Sequence, residues 1–123
     1  MSETSNFYKY SAAVQGFALW ASWAFYINSK VSLSAGITAG IIQGVFSFCS
    51  TLIVIALITK LYNHFNQLYL KLILPTCLMM CMLSFVQISA HAIANTPEIL
   101  KTVAPPLFIA TLFCAFTTYK LNK

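Results

Sequence analysis

Formal charges in this chain occur only at intervals, and the stretches between them are long and apolar. Residues 10–29, 31–59, 72–97 and 102–119 contain no Asp, Glu, Lys or Arg. Hydrophobic residues make up 59% of the chain and charged residues only 7%. About 20 apolar residues cross a bilayer as a helix, and only an internally bonded helix can cross alone, because lipid satisfies no backbone groups. The sequence therefore predicts an all-α polytopic membrane protein with four transmembrane helices in one bundle.

The predicted spans occupy almost all of the 123 residues. Residues 1–7 are expected to form a short polar N-terminal tail, and residues 8–123 one four-span transmembrane domain. Thr96, Pro97 and Glu98 predict the start of the last span, since Thr caps helices, Pro suits the first turn and Glu favours the positive end of the helix dipole. The predicted spans are about 8–29, 34–61, 68–92 and 97–119.

The lysines indicate the orientation of these spans. With a cytoplasmic N-terminus, more lysines fall on the inner side of the membrane than on the outer side, as the positive-inside bias requires. We therefore predict cytoplasmic N- and C-termini and an integral protein of the bacterial inner (plasma) membrane. The net charge of +5 is explained by this topology and by anionic lipid, so no nucleic-acid partner is expected. The inner lysines are Lys9, Lys60, Lys71, Lys120 and Lys123, and the outer ones are Lys30 and Lys101.

Three glycines at a spacing of four mark one edge of the second predicted span. Gly36, Gly40 and Gly44 form two overlapping small-xxx-small motifs, which allow another helix to approach closely. We expect these residues to pack helices together. A four-span unit of this size encloses little volume, so the same edge is a natural seam for a second copy or for a larger membrane-protein partner.

Polar residues recur at helical spacing on the first three predicted spans. At about 100° per residue they fall within one arc of each helix, and we expect these faces to point inward. Two interpretations remain open: side-chain hydrogen bonds that hold the helices together, or a path for a substrate. The candidate path residues are Gln15, Ser22, Gln43, Ser47, Ser84, Gln87 and His91.

A proline pair interrupts the fourth predicted span. Pro105 and Pro106 remove two backbone donors and are expected to kink or break the helix, acting as a hinge. Thr102 or a neighbouring helix can satisfy the carbonyls that these prolines leave free. A broken span is a part that transporters use, whereas a bend that merely packs well is the simpler alternative.

The sequence offers little for catalysis or for a metal. Its carboxylates, Glu3 and Glu98, are predicted to lie on opposite sides of the membrane, so no acid–base pair forms and no enzyme or cofactor is expected. Cys77 and Cys81, one helical turn apart, are soft ligands that suit Cu(I). They are equally typical apolar fillers, and we expect all four cysteines to be reduced and buried.

In length and number of spans the chain is similar to the small multidrug resistance exporters and to the GtrA-like sugar-lipid flippases. The resemblance covers size and topology and no motif, and the acidic residue of the exporters' first span is replaced here by Gln15 or Ser22. The sequence therefore favours a non-enzymatic protein that helps to translocate a lipid-linked or amphipathic substrate, as a homo-oligomer or with a partner. The alternatives are an accessory or assembly subunit of a larger membrane complex and a Cu(I)-binding membrane protein.

Overall fold

Residues 3–122 form a bundle of four α-helices joined by short turns. The structure, a computed structural model, describes the backbone of residues 3–122 and the side chains of residues 6–122. The helices are α1 (Glu3–Asn28), α2 (Leu33–His64), α3 (Leu68–Ile93) and α4 (Ile99–Asn122). The predicted all-α class is confirmed.

Three of these helices, α2, α3 and α4, are long and apolar enough to cross a membrane. They indicate an integral membrane protein, as the sequence predicted. Helix α1 is as long as α3, but Lys9, Gln15 and several hydroxyl side chains reduce its hydropathy. Among the described residues, length and composition thus identify three spans, and the predicted fourth span, which corresponds to α1, stays a prediction.

Two helix starts differ from those predicted. Helix α1 begins at Glu3, so most of the expected polar tail continues the helix, while Met1, Ser2 and Lys123 lie outside the described residues. Helix α4 begins at Ile99, two residues after Pro97, because the preceding residues form a turn that holds α3 and α4 together.

Helix α2 lies at the centre of the bundle and contacts each of the other three helices. Helix α4 also contacts α1 and α3, whereas α1 and α3 do not contact each other within the part of the chain that the structure describes. Large apolar side chains such as Phe85 (75% exposed) cover the outside, as expected for a surface that faces lipid. An apolar core joins α2, α3 and α4 and consists of Val54, Ile58, Met79, Leu83 and Cys114.

The glycine edge of α2 packs against α1. A Cβ atom on Gly36 would lie 2.7 Å from the Cβ and 2.9 Å from the Cα of Ser29. A Cβ on Gly40 would lie 3.2 Å from the carbonyl oxygen of Ala21, and one on Gly44 2.9 Å from the Ala21 Cβ. The edge that was expected to be a seam for a second copy or a partner is therefore occupied by α1 of the same chain.

Candidate functional site

The turn between α3 and α4 brings two polar side chains together. Asn95 adopts a left-handed conformation (φ 58°), which Asn tolerates better than most residues. The Thr96 N–H then donates to the His91 carbonyl at 2.9 Å and the Asn95 N–H to the Ala92 carbonyl at 3.2 Å, the bond pair of a Schellman motif. This reversal places the Thr96 hydroxyl 2.8 Å from Nδ1 of His91.

Three further bonds build a buried polar cluster between α2 and α3. Oε1 of Gln43 accepts from Nε2 of Gln87 at 2.7 Å and lies 2.8 Å from Nε2 of His91. Nε2 of Gln43 donates to the Ser47 hydroxyl at 3.4 Å. The residues Gln43, Ser47, Gln87, His91 and Thr96, here named the Gln43 cluster, are all buried.

The chemistry of the amide fixes the proton positions in this cluster. An amide oxygen only accepts hydrogen bonds, so Nε2 of His91 donates to Gln43, and in the neutral ring Nδ1 accepts from the Thr96 hydroxyl. Both ring nitrogens are therefore engaged, and both lone pairs of Gln43 Oε1 are filled. One polar atom of the cluster remains without a partner, the buried Oε1 of Gln87.

A second buried group ties α1 to the start of α4. Nδ2 of Asn28 donates to the Thr102 hydroxyl at 2.7 Å, and Oδ1 of Asn28 accepts from the backbone N–H of Glu98 at 3.1 Å. Asn28 thus satisfies an open donor at the N-terminus of α4. Thr96, which the sequence suggested as the cap, is used by His91 instead.

A tryptophan compensates for one of the two prolines in α4. Pro105 has no N–H for the carbonyl of Lys101, four residues earlier, and the indole N–H of Trp23 donates to that carbonyl at 3.0 Å. The predicted rescue of a freed carbonyl by a neighbouring helix is therefore present. Helix α4 runs unbroken from Ile99 to Asn122, so a break at Pro105 and Pro106 was the wrong alternative.

A cavity of about 190 Å³ adjoins the Gln43 cluster and opens partly to the surface. All four helices line it: Trp20 from α1, Gln43 and Ser50 from α2, Gln87 from α3 and Ala110 from α4. The hydrogen bonds that join α1 to the start of α4, made by Trp23 and Asn28, lie toward the turn. Farther from the turn both α1 and α4 supply lining residues, and the cavity is named here the cleft between α1 and α4.

The candidate path residues divide into two groups. Gln43, Ser47, Gln87 and His91 meet in the Gln43 cluster, and Ser84 lies half-buried on α3. Gln15 and Ser22 lie instead on the exposed face of α1. That polar stripe was expected to point inward, but the buried face of α1 is its opposite side.

Local hydrogen bonds explain the position of the α1 stripe. The Ser22 hydroxyl donates to the Ala18 carbonyl at 2.7 Å, and the Gln15 amide donates to the Ser11 hydroxyl at 3.2 Å. These groups are satisfied within their own helix and need no partner on another. The side of α1 that packs carries small residues such as Ala13 and Ala24, which are fully buried.

The cysteines also differ from expectation. Cys114 is buried, but Cys49, Cys77 and Cys81 are exposed on the outside of the bundle, because the buried face of α3 is centred on Met79 and Leu83. All four are free thiols. Among residues 3–122 no group of three or more His, Cys, Asp or Glu side chains is placed to hold a metal ion.

Several site residues were missed from the sequence. Asn28 was not expected to bond another helix, Thr96 was not expected to bond His91, and Thr51 was not assigned to a cavity. Asn28 offered one signal, since an amide at the end of an apolar stretch has few local uses beyond a cap. The polar stripes of α2 and α3 suggested part of the cavity wall, but the part formed by α4 offered no signal, because it depends on tertiary packing.

Comparisons with protein-family models, with curated proteins and with solved structures find no match for this chain. The interpretation of the site therefore rests on its own geometry.

Proposed function

We propose that all four helices cross the bilayer, with both termini on the cytoplasmic side of a bacterial inner membrane. Helix α1 packs along α2 from Ser29 beside Gly36 to Gly16, whose Cβ position is 3.4 Å from Oγ1 of Thr51. Since α2 is long and apolar enough to span, this side-by-side packing supports the same depth for α1. An even number of spans with more lysines at the inner ends supports the orientation.

We further propose that the protein helps an amphipathic or lipid-linked molecule to cross the membrane, without catalysing a reaction. The observation that carries this proposal is the partly open cavity beside the Gln43 cluster, within helices that are apolar on the outside. A polar head entering the cleft between α1 and α4 meets Gln43, Ser50 and Gln87 while its acyl chains stay in lipid. The barrier to crossing falls because the head exchanges water for hydrogen-bonding partners rather than for hydrocarbon.

A lipid-flip assay tests this proposal. Proteoliposomes carry a fluorescent glycosyl diacylglycerol, and an impermeant reductant bleaches only the outer-leaflet label. We expect wild-type protein to increase the bleached fraction beyond half, and Gln43→Leu with Gln87→Leu to reduce the rate at least tenfold. Gln15→Leu, an equal change on the exposed face of α1, is the matched control. A wild-type rate equal to that of protein-free vesicles contradicts the proposal.

The alternative proposal is an accessory or assembly subunit of a larger membrane complex. The Gln43 cluster favours it, because most of its polar groups bond one another and so lock α2 to α3, as a purely structural role requires. Recovery of a larger membrane protein at fixed stoichiometry from mild detergent supports this alternative, and recovery of the chain alone contradicts it. A homo-oligomer would use a face other than the glycine edge, which α1 covers.

A further inference from the structure

We infer that the cavity binds the uncharged, hydroxyl-bearing head of a lipid, with Oε1 of Gln87 as its principal acceptor. The inference rests on the proposed function and adds the chemical class of the molecule.

Gln87 supplies the unfilled acceptor. Its side chain is 1% exposed and lines the cavity, its Nε2 is committed to Gln43, and its Oε1 has no partner. A buried polar atom without a hydrogen bond costs free energy, so a donor that reaches it is bound favourably. Because Gln87 lines the cavity, a donor bound there is the group that can fill this oxygen.

Two hydroxyl groups on the wall offer further acceptors. The hydroxyls of Ser50 and Thr51 donate to the carbonyl of Ser47, at 3.2 and 2.7 Å, which leaves their oxygen lone pairs for a ligand. One N–H of Gln43 and one N–H of Gln87 donate within the Gln43 cluster. A ligand that fills these acceptors must bring protons, as an alcohol does and a phosphate or carboxylate does not.

Because the lining of the cavity is uncharged, ions of either sign are disfavoured there. None of its lining residues carries a formal charge, and an unpaired ion in an apolar site is strongly disfavoured. Ammonium heads are thus disfavoured although they donate hydrogen bonds. The remaining class is a neutral lipid alcohol, such as a diacylglycerol or a glycosylated one.

The size of the cavity limits how much of the lipid enters. A volume of about 190 Å³ equals roughly six water molecules at about 30 Å³ each, and a dry cavity of about 150 Å³ is known to hold benzene. A glycerol unit or one sugar ring fits, and acyl chains do not. They extend to the outside of the bundle past Ile109, a lining residue on α4 that is 48% exposed.

Quenching of tryptophan fluorescence in nanodiscs tests the inference. The probes are a diacylglycerol with brominated acyl chains and its O-methyl ether, which has the same shape without the hydroxyl proton. Trp20 lines the cavity whereas Trp23 bonds Lys101, so Trp20→Phe identifies the quenching that belongs to the cavity. We expect saturable quenching at about fivefold lower concentration for the alcohol than for the ether, the size of one neutral hydrogen bond.

Two pairs of variants distinguish the hydrogen bond to Gln87 from the need for an open cavity. Gln87→Leu is expected to abolish the preference for the alcohol, whereas Gln15→Leu keeps it. Ala110→Phe fills the cavity and is expected to remove the saturable quenching of both probes, whereas Ala115→Phe, on the exposed side of α4, keeps it. If Gln87→Leu loses its helicity, the alanine pair and the two probes still test the site.

Equal quenching by the alcohol and the ether in the wild type overturns the inference, as does a preference retained in folded Gln87→Leu. Equal saturable quenching in Ala110→Phe also overturns it. Binding with this preference but without lipid flip contradicts the proposed function and leaves the site intact. Lipid flip without the preference for the alcohol contradicts the inferred binding site and leaves the proposed function intact.

Discussion

Replacing single glycines with alanine tests the packing of α1 on α2, because the expected change in the free energy of unfolding has opposite signs at Gly36 and Gly16. At Gly36 the new methyl group would meet Ser29, with atoms at 2.7, 2.9 and 3.0 Å that include its backbone Cα and N. At Gly16 the nearest atom, Oγ1 of Thr51, lies at 3.4 Å, an ordinary contact distance. Gly36→Ala therefore requires α1 to move, and Gly16→Ala does not.

Gly36→Ala and Gly16→Ala both gain the higher helix propensity of alanine. Only Gly36→Ala also incurs a cost from overpacking. Alanine in place of glycine inside a helix stabilises by about 0.5–1 kcal/mol. Overpacking costs about 1–3 kcal/mol, and Gly36→Ala belongs at the upper end because backbone atoms are in the way. We expect Gly36→Ala to lower the free energy of unfolding by about 2 kcal/mol and Gly16→Ala to raise it by about 0.5–1 kcal/mol.

The assay is denaturation of the protein in bicelles, followed by circular dichroism at several protein-to-lipid ratios. Equal effects of Gly36→Ala and Gly16→Ala would show that α1 does not pack on the glycine edge. A loss in Gly36→Ala that grows on dilution would show that the edge joins two copies, contrary to the structure.

Three further predictions concern the buried polar contacts. Gln43→Leu leaves two buried donors without their acceptor. Because hydrogen bonds inside membrane proteins are worth about 0.6–1.7 kcal/mol each, we expect this change to destabilise the protein by about 1–3 kcal/mol. Equal stability of the variant and the wild type in bicelles contradicts this. Trp23→Phe leaves the Lys101 carbonyl without its indole partner and is expected to cost about 1 kcal/mol in the same assay, while loss of no stability would show that the bond is unimportant. Asn28→Ala removes the partner of the Glu98 N–H. Hydrogen exchange at the start of α4 is expected to accelerate about tenfold, which corresponds to a loss of about 1.4 kcal/mol in the free energy of local opening. Unchanged exchange refutes the contact.

The sequence predicts the helices well, because charge spacing reports directly on what can enter a bilayer. It also predicts one face of α2 correctly, with Gln43 and Ser47 buried beside the glycines. It fails for α1, where Ser22 and Gln15 form hydrogen bonds within their own helix. A hydroxyl or amide that has a local partner therefore carries no information about which face points inward.

The parts of the site that sequence reasoning missed depend on geometry that no spacing encodes. Thr96 reaches His91 because Asn95 turns the chain back in a left-handed conformation. Trp23 reaches Lys101 only because α1 and α4 lie side by side at that level. The two prolines predicted a carbonyl without its helical donor, but they did not indicate which helix would supply a replacement donor.

The most direct test of the proposed route is the lipid-flip rate when the cleft is filled from α4. Ala110→Phe places a ring in the cavity without replacing a member of the Gln43 cluster, and Ala115→Phe adds the same ring on the outside. We expect Ala110→Phe to reduce the flip rate of the fluorescent glycosyl diacylglycerol to that of protein-free vesicles and Ala115→Phe to retain the wild-type rate. Equal rates for the two variants, with both folded, would contradict a route through the cleft between α1 and α4.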